Sequence, residues 1–168
     1  KLRALMQKNN IAAYIVPSED PHLSEYVGEY FKARAWISGF TGSAGTVVFT
    51  RDKAGLWTDG RYYIQAEKQL EGSGIELFRA ADLNVPTYKQ WLKSELKEGD
   101  SIAFDGRNFS TSAILNMKKE LCSKEIKLNS DLDLISPIWD DRPEIPSDNI
   151  FIHEVQYCGK GRGEKITE

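Results

Sequence analysis

The sequence predicts an α/β domain with a mixed central sheet and helices on both faces. Three observations carry that expectation. Ile11-Ala-Ala-Tyr-Ile-Val16 is an unbroken apolar run of strand length, the pattern of a central strand covered on both sides. Strand-like and helix-like patterns alternate from residue 11 to residue 128. Within that stretch, Thr46-Val-Val-Phe-Thr50 and Ala54-Gly-Leu-Trp57 flank the polar turn Arg51-Asp-Lys53, which reads as a hairpin and makes the sheet mixed.

In chain order, Lys1 to Gln7 reads as the end of a helix, with Leu2, Leu5 and Met6 on one face. Pro17 ends the first strand, because proline has no N–H for the ladder. Ser18 to Phe31 is polar and aromatic, with short helical turns expected around Leu23 to Tyr26. The segment carrying Arg34 and Trp36 reads as loop, and Gly39, Gly42 and Gly45 punctuate the stretch after it. After the hairpin, Asp59 is placed to cap a helix over Arg61 to Leu70, with Tyr63, Ala66 and Leu70 at helical spacing. Ile75 to Phe78 is a strand. Thr87 and Gln90 stand at capping-box spacing before a helix bearing Tyr88, Trp91, Leu92 and Leu96. Ser101 to Phe104 is a strand ended by Asp105-Gly106, and Ser110 can cap a helix that turns Ile114, Met117 and Leu121 inward. Ile126 to Leu128 reads as an edge strand. Asp131 to Trp139 reads as a last short helix, disturbed by Pro137. Asp140 to Pro146 has linker composition. The expected boundaries are therefore a domain over residues 1–145, then a linker and the start of a following domain over 146–168.

Composition narrows the function classes. The 168 residues suffice for one well-buried core, and the net charge of −3, with acids and bases interleaved, argues against nucleic acid or an anionic membrane as partner. No apolar run approaches the ~20 residues of a membrane span. Cys122 and Cys158 are far apart and outside any CxxC pair, as expected of free thiols in a reducing, cytoplasmic setting. The chain begins at Lys1 within a helical pattern, which leads us to expect a trimmed fragment.

No catalytic constellation emerges from the residues. His22 and His153 lie in separate segments without metal-ligand spacing, and there is no HExxH. His22 follows Glu19 and Asp20 at the end of the first strand, where open α/β sheets bind ligands, and is a weak candidate for a binding role. The glycine-rich stretch is followed by a strand and lacks Gly-Lys-Ser/Thr, so it is no phosphate loop. Thr41 stands where the first glycine of GxSxG belongs relative to Ser43, so a nucleophile elbow also fails. Arg61 could bind an anion, but pairing with a nearby acid is favoured. Arg34, amid Trp36 and Phe40, is open between a surface ion pair and recognition of a carboxylate or carbonyl.

Three segments in register carry a resemblance. Ala13-Tyr-Ile-Val-Pro-Ser-Glu-Asp-Pro-His-Leu-Ser-Glu-Tyr26, Ile37-Ser-Gly-Phe-Thr-Gly-Ser-Ala-Gly-Thr46 and Leu56-Trp-Thr-Asp-Gly-Arg-Tyr-Tyr63 resemble the creatinase/prolidase N-terminal domain of three-domain, cytosolic-type Xaa-Pro aminopeptidases. Ile138-Trp-Asp-Asp-Arg-Pro-Glu144 resembles the segment that closes that domain. The resemblance implies a ribonuclease H-like fold. It also implies a metallopeptidase that removes the first residue from peptides with proline second, with two divalent ions, usually Mn²⁺, held in a separate C-terminal catalytic domain. By that analogy this chain binds no cofactor and is inactive alone. It would gate and bind peptide, contact its own catalytic domain and support assembly, for which a homodimer is one arrangement. Arg34 would face the substrate side, with His22, Tyr26, Trp36 and Phe40 on or near that loop surface. The alternative is a peptide- or protein-binding pseudo-peptidase module without catalysis.

Overall fold

The computed structural model describes residues 1–168. Six strands form one sheet in the order β4-β3-β2-β1-β5-β6. They are β1 (Ala13–Pro17), β2 (Thr46–Thr50), β3 (Ala54–Thr58), β4 (Glu76–Arg79), β5 (Ser101–Phe104) and β6 (Lys127–Asn129). The β1–β2 and β2–β3 pairs are antiparallel, and β1–β5, β3–β4 and β5–β6 are parallel. The sheet is mixed, as expected, and β6 is an edge.

Every residue of β1 is buried, because alternate side chains enter two separate cores. Tyr14 and Val16 join one core with Leu2 and Met6 of α1 (Leu2–Lys8), Ala33 of α2 (Ala33–Ser38) and Ala66 and Leu70 of α3 (Tyr63–Leu70). Ala13 and Ile15 join the other with Trp91 and Leu92 of α4 (Tyr88–Glu95) and Met117 and Leu121 of α5 (Thr111–Leu121). Helices thus cover both faces. The capping box forms as its spacing predicts: Thr87 Oγ1 accepts from the Gln90 amide at 3.2 Å, and Gln90 Oε1 accepts from the Thr87 amide at 2.9 Å. Ser110 Oγ accepts from the Ala113 amide and caps α5.

The structure corrects four expectations. Residues 33–38 are helical rather than loop, and the helix ends at Gly39 in the left-handed region (φ 74°). No helical turn forms at Leu23–Tyr26; Leu23 itself is left-handed at φ 53°, and a 3₁₀ turn lies later, at Glu29–Phe31. Asp59 does not cap α3, which starts at Tyr63. Its Oδ1 instead accepts from the Arg61 amide, two residues on, to close a turn. Finally, the expected helix over 131–139 is only a 3₁₀ turn at Ser136–Ile138. Asp133 Oδ1 takes the amides of Ile135 and Ser136, and Pro137 has none to give, so helical bonds cannot propagate.

Pro17 completes the last pair of β1, opposite Thr46. Beyond Glu144 the chain is irregular to Glu154, followed by α6 (Val155–Cys158) and α7 (Arg162–Thr167), neither with a buried residue.

Candidate functional site

The loop after β1, helix α2 and the glycine-rich loop converge at the C-terminal end of β1. Arg34 organises this junction. Its side chain reaches from α2 back under residues 40–42, where Nη1 donates to the Phe40 carbonyl and Nη2 to the Gly42 carbonyl. Its Nε donates to Ser18 Oγ at 2.9 Å, and Ser18 Oγ in turn donates to the Gly45 carbonyl at 2.7 Å. The Arg34 guanidinium also lies 4.8 Å from the centre of the Phe40 ring. Ser38 Oγ donates to the Arg34 carbonyl and accepts from the Phe40 amide, so helix and loop share hydrogen bonds.

Helix α3 holds the same loop from outside. Gln69 Oε1 accepts the Thr41 amide at 3.0 Å, while Gln65 and Gln69 side-chain amides both donate to Thr41 Oγ1. The Ser43 and Tyr62 hydroxyls are 2.6 Å apart. Close approach requires glycine at 42: a Cβ there would fall 2.8 Å from Tyr62 Cδ1 and into the Phe40 ring. The loop is therefore a built wall rather than a slack connection.

That wall borders a cavity of about 230 Å³, with Ser18, Tyr26, Val27, Phe31 and Arg34 among its lining residues. A shallower cleft of about 480 Å³ continues past Ser18, Glu25 and Ser43 toward Glu19, Asp59 and Arg61. Arg34 is 5% exposed and forms no ion pair with any acid. Burial penalises its charge and pulls its pKa down to about 10. On the far side of α2, Arg142 fixes the closing segment. Its Nη1 donates to Asp133 Oδ2 at 2.7 Å and its Nε to the Tyr30 carbonyl at 3.0 Å.

The candidates named from sequence separate here. Arg34 sits in the site, but the surface ion-pair reading is corrected, since the side chain is buried among carbonyls. Phe40 is not on the loop surface; its ring is fully buried and supports Arg34 from below. His22 is exposed on the turn after β1 and is not among the cavity-lining residues. Trp36 stacks on Trp139, with ring centres 5.1 Å apart, and also lies off the cavity. Tyr26 is at the cavity, 86% exposed. Arg61 pairs with Asp59 at 2.8 Å, the alternative that sequence favoured. Sequence reasoning missed Ser18, Tyr62 and the Gln65/Gln69 pair; the i,i+4 spacing of the two glutamines was the one signal for the last. It also missed Asp20, whose buried carboxylate accepts the Ser24 amide and the His22 amide, bonds that hold it below the usual carboxylate range, the Ser24 bond most of all.

No group of three or more His, Cys, Asp or Glu side chains converges to hold a metal ion, so the residues present do not fit a dinuclear centre. No helix is long and apolar enough to cross a membrane.

Comparison with known proteins places this architecture. The chain is 46% identical over 159 residues to aminopeptidase P2 of Arabidopsis thaliana, covering 93% of this chain and 22% of that protein. It is 39% identical to Xaa-Pro aminopeptidase 2 of Rattus norvegicus, covering 99% of this chain and 24% of the relative. It therefore spans about a quarter of the length of these relatives. Among solved structures, X-prolyl aminopeptidase from Caenorhabditis elegans, described as a cytosolic enzyme with a di-nuclear active site, superposes with a TM-score of 0.84. The two are 32% identical, over 94% of this chain and 26% of that one. The pattern of the creatinase/prolidase N-terminal domain matches residues 1–133, and the chain belongs to that family.

Proposed function

We propose that this chain is the non-catalytic N-terminal domain of a metal-dependent Xaa-Pro aminopeptidase, where it helps to bind and gate peptides with proline in second position. The observation that carries this is the wall built by Arg34 and the 39–45 loop beside an open cavity, at the strand end where α/β sheets receive ligands. The relatives that cover nearly the whole chain and bear Xaa-Pro aminopeptidase names support the reaction class. We further assign residues 1–145 to this domain and 146–168 to a linker and the start of the next. Ile150, Phe151 and Ile152 are 79–103% exposed here, a run of apolar surface that a following domain would cover. The two divalent ions, with Mn²⁺ as the expected metal, belong to the catalytic portion outside this chain. A cytoplasmic setting and a role in subunit contacts complete the reading.

Two measurements test it together. This chain with added Mn²⁺ should give no Xaa-Pro cleavage, and chelator-sensitive turnover would overturn that. In the full-length protein, Arg34→Ala should lower kcat/KM by about 10- to 100-fold, the range for a lost hydrogen bond to a charged group. Unchanged kinetics in a folded variant would remove the domain from substrate handling. A full-length protein that binds Xaa-Pro peptides without cleaving them would make this a peptide-binding module instead.

A further inference from the structure

Buried arginines are almost always paired with an acid, because a desolvated charge without a counter-charge is costly. Arg34 departs from that pattern. Its surroundings supply three neutral acceptors, the Phe40 and Gly42 carbonyls and Ser18 Oγ. A guanidinium has five N–H donors, so one hydrogen on each terminal nitrogen remains unspent. The cation lines a cavity of about 230 Å³, below the ~300 Å³ at which pockets for drug-sized ligands begin, and thus of a size for one or two residues. Lys32 adds a second positive charge to the same lining, and its one acidic partner, Glu29, is exposed to solvent. Glu25 is the single acid of the lining; it is exposed and makes no ion pair with Arg34 or Lys32.

We propose that the cavity beside Arg34 is a carboxylate subsite, filled by an anionic oxygen pair from the bound peptide that completes the guanidinium's hydrogen bonding. This rests on the reading of the domain as a substrate-handling unit and names the chemistry it selects. The carboxylate has two sources, the free C-terminus of a short peptide or an Asp/Glu side chain downstream of the proline. Charge-assisted bonds from the two spare N–H groups supply the preference, and the burial of Arg34 strengthens them relative to a surface pair.

The test titrates three peptides into this chain: Ala-Pro-Ala with a free carboxylate, its C-terminal amide, and Ala-Pro-Glu amide. The readout is the ¹⁵N-resolved shift of the Arg34 Nε–H and the Gly42 and Ser43 amides. At least one carboxylate peptide should shift these signals and bind about tenfold or more tightly than Ala-Pro-Ala amide, the lower end expected for hydrogen bonds to a charged group. Recovery by Ala-Pro-Glu amide assigns the side chain as source; failure to recover assigns the C-terminus. Arg34→Lys keeps the charge but loses the fork and should erase most of the preference. Lys32→Gln, at an exposed position, should reduce it with the fold unchanged, so the test survives if Arg34→Lys does not fold. Equal binding of acid and amide peptides, or no shift of the Arg34 signal with any of them, overturns the proposal. A kinetic effect of Arg34→Ala in the full-length protein, together with equal acid and amide binding, would sink the carboxylate subsite while leaving the substrate-handling role intact.

Discussion

Replacing Tyr14 with phenylalanine should destabilise the domain by about 2 kcal/mol. Tyr14 is 1% exposed on β1, and its hydroxyl links that strand to residues 132–134. It donates to the Leu132 carbonyl at 2.9 Å and accepts from the Leu134 amide at 3.0 Å. Burial raises its pKa well above the ordinary value, so it remains a neutral donor throughout the working pH range. Phenylalanine keeps the ring and nearly all the packing, and the loss isolates the two hydrogen bonds. The buried Leu134 amide then has no partner, at about 1–3 kcal/mol. Leu132 is only half-buried, so water can take over its carbonyl and that bond adds little. With a urea slope of about 2 kcal/mol/M, the unfolding midpoint should drop by about 1 M without a change in slope. In a thermal scan the same loss is about 4–8 °C. A shift below about 0.2 M would refute the reasoning, because it would mean that the segment at 132–134 finds other partners at no cost.

Two further outcomes are expected of the junction and the closing segment. Gly42→Ala should cost about 1–3 kcal/mol, because the added Cβ meets the Phe40 and Tyr62 rings, whereas Gly28→Ala, with nothing within 4 Å, should be neutral; thermal melts of the pair decide this. For Asp133, burial raises the carboxyl's pKa, but the Ser136 amide bond and the Arg142 charge outweigh it and leave it below the ordinary 3.8. A depressed folded value means the stabilisation is present above pH 3.8 and lost as pH falls through the lower folded value. Asp133→Asn should therefore be less stable than the parent by about 1–3 kcal/mol at about pH 6, with the gap narrowing below about pH 4 in urea titrations. A constant gap would contradict the assignment.

Much of the fold was legible because its signals are local. The apolar run at 11–16 announces a strand buried on both faces, and each of its side chains is buried. Thr87 with Gln90, and Ser110, mark helix starts through bonds made within three residues. Helix α2 was missed for the converse reason. Its six residues are too few to show a period, and it has no side-chain cap. What holds it is tertiary: Ala33 packed in the core, and Ser38 and Arg34 bonded to the next loop. Residues 131–139 failed as a helix because Asp133 bonds its own backbone ahead, a competition that periodicity does not register.

The site was legible in place but not in kind. Arg34 and the glycines at 39, 42 and 45 stood out in sequence, and the structure brings them to one junction. An arginine among aromatics reads either as a surface ion pair or as a recognition group, and nothing at positions 33–36 says that it is buried. The information that buries it lies elsewhere. Gly42 has no Cβ, so the Phe40 and Tyr62 rings close on the loop, and the Phe40 and Gly42 carbonyls are thereby turned inward. Those carbonyls accept from Arg34 as an acid would, but they do not neutralise it. Gly42 thus sets the electrostatics of the cavity: it lets backbone dipoles substitute for a counter-ion and leaves the arginine's net charge uncompensated beside the cavity. Sequence left Arg34 open between an ion pair and recognition of a carboxylate or carbonyl; the loop's geometry removes the ion pair, and Gly42→Ala should disturb the carboxylate preference as well as stability.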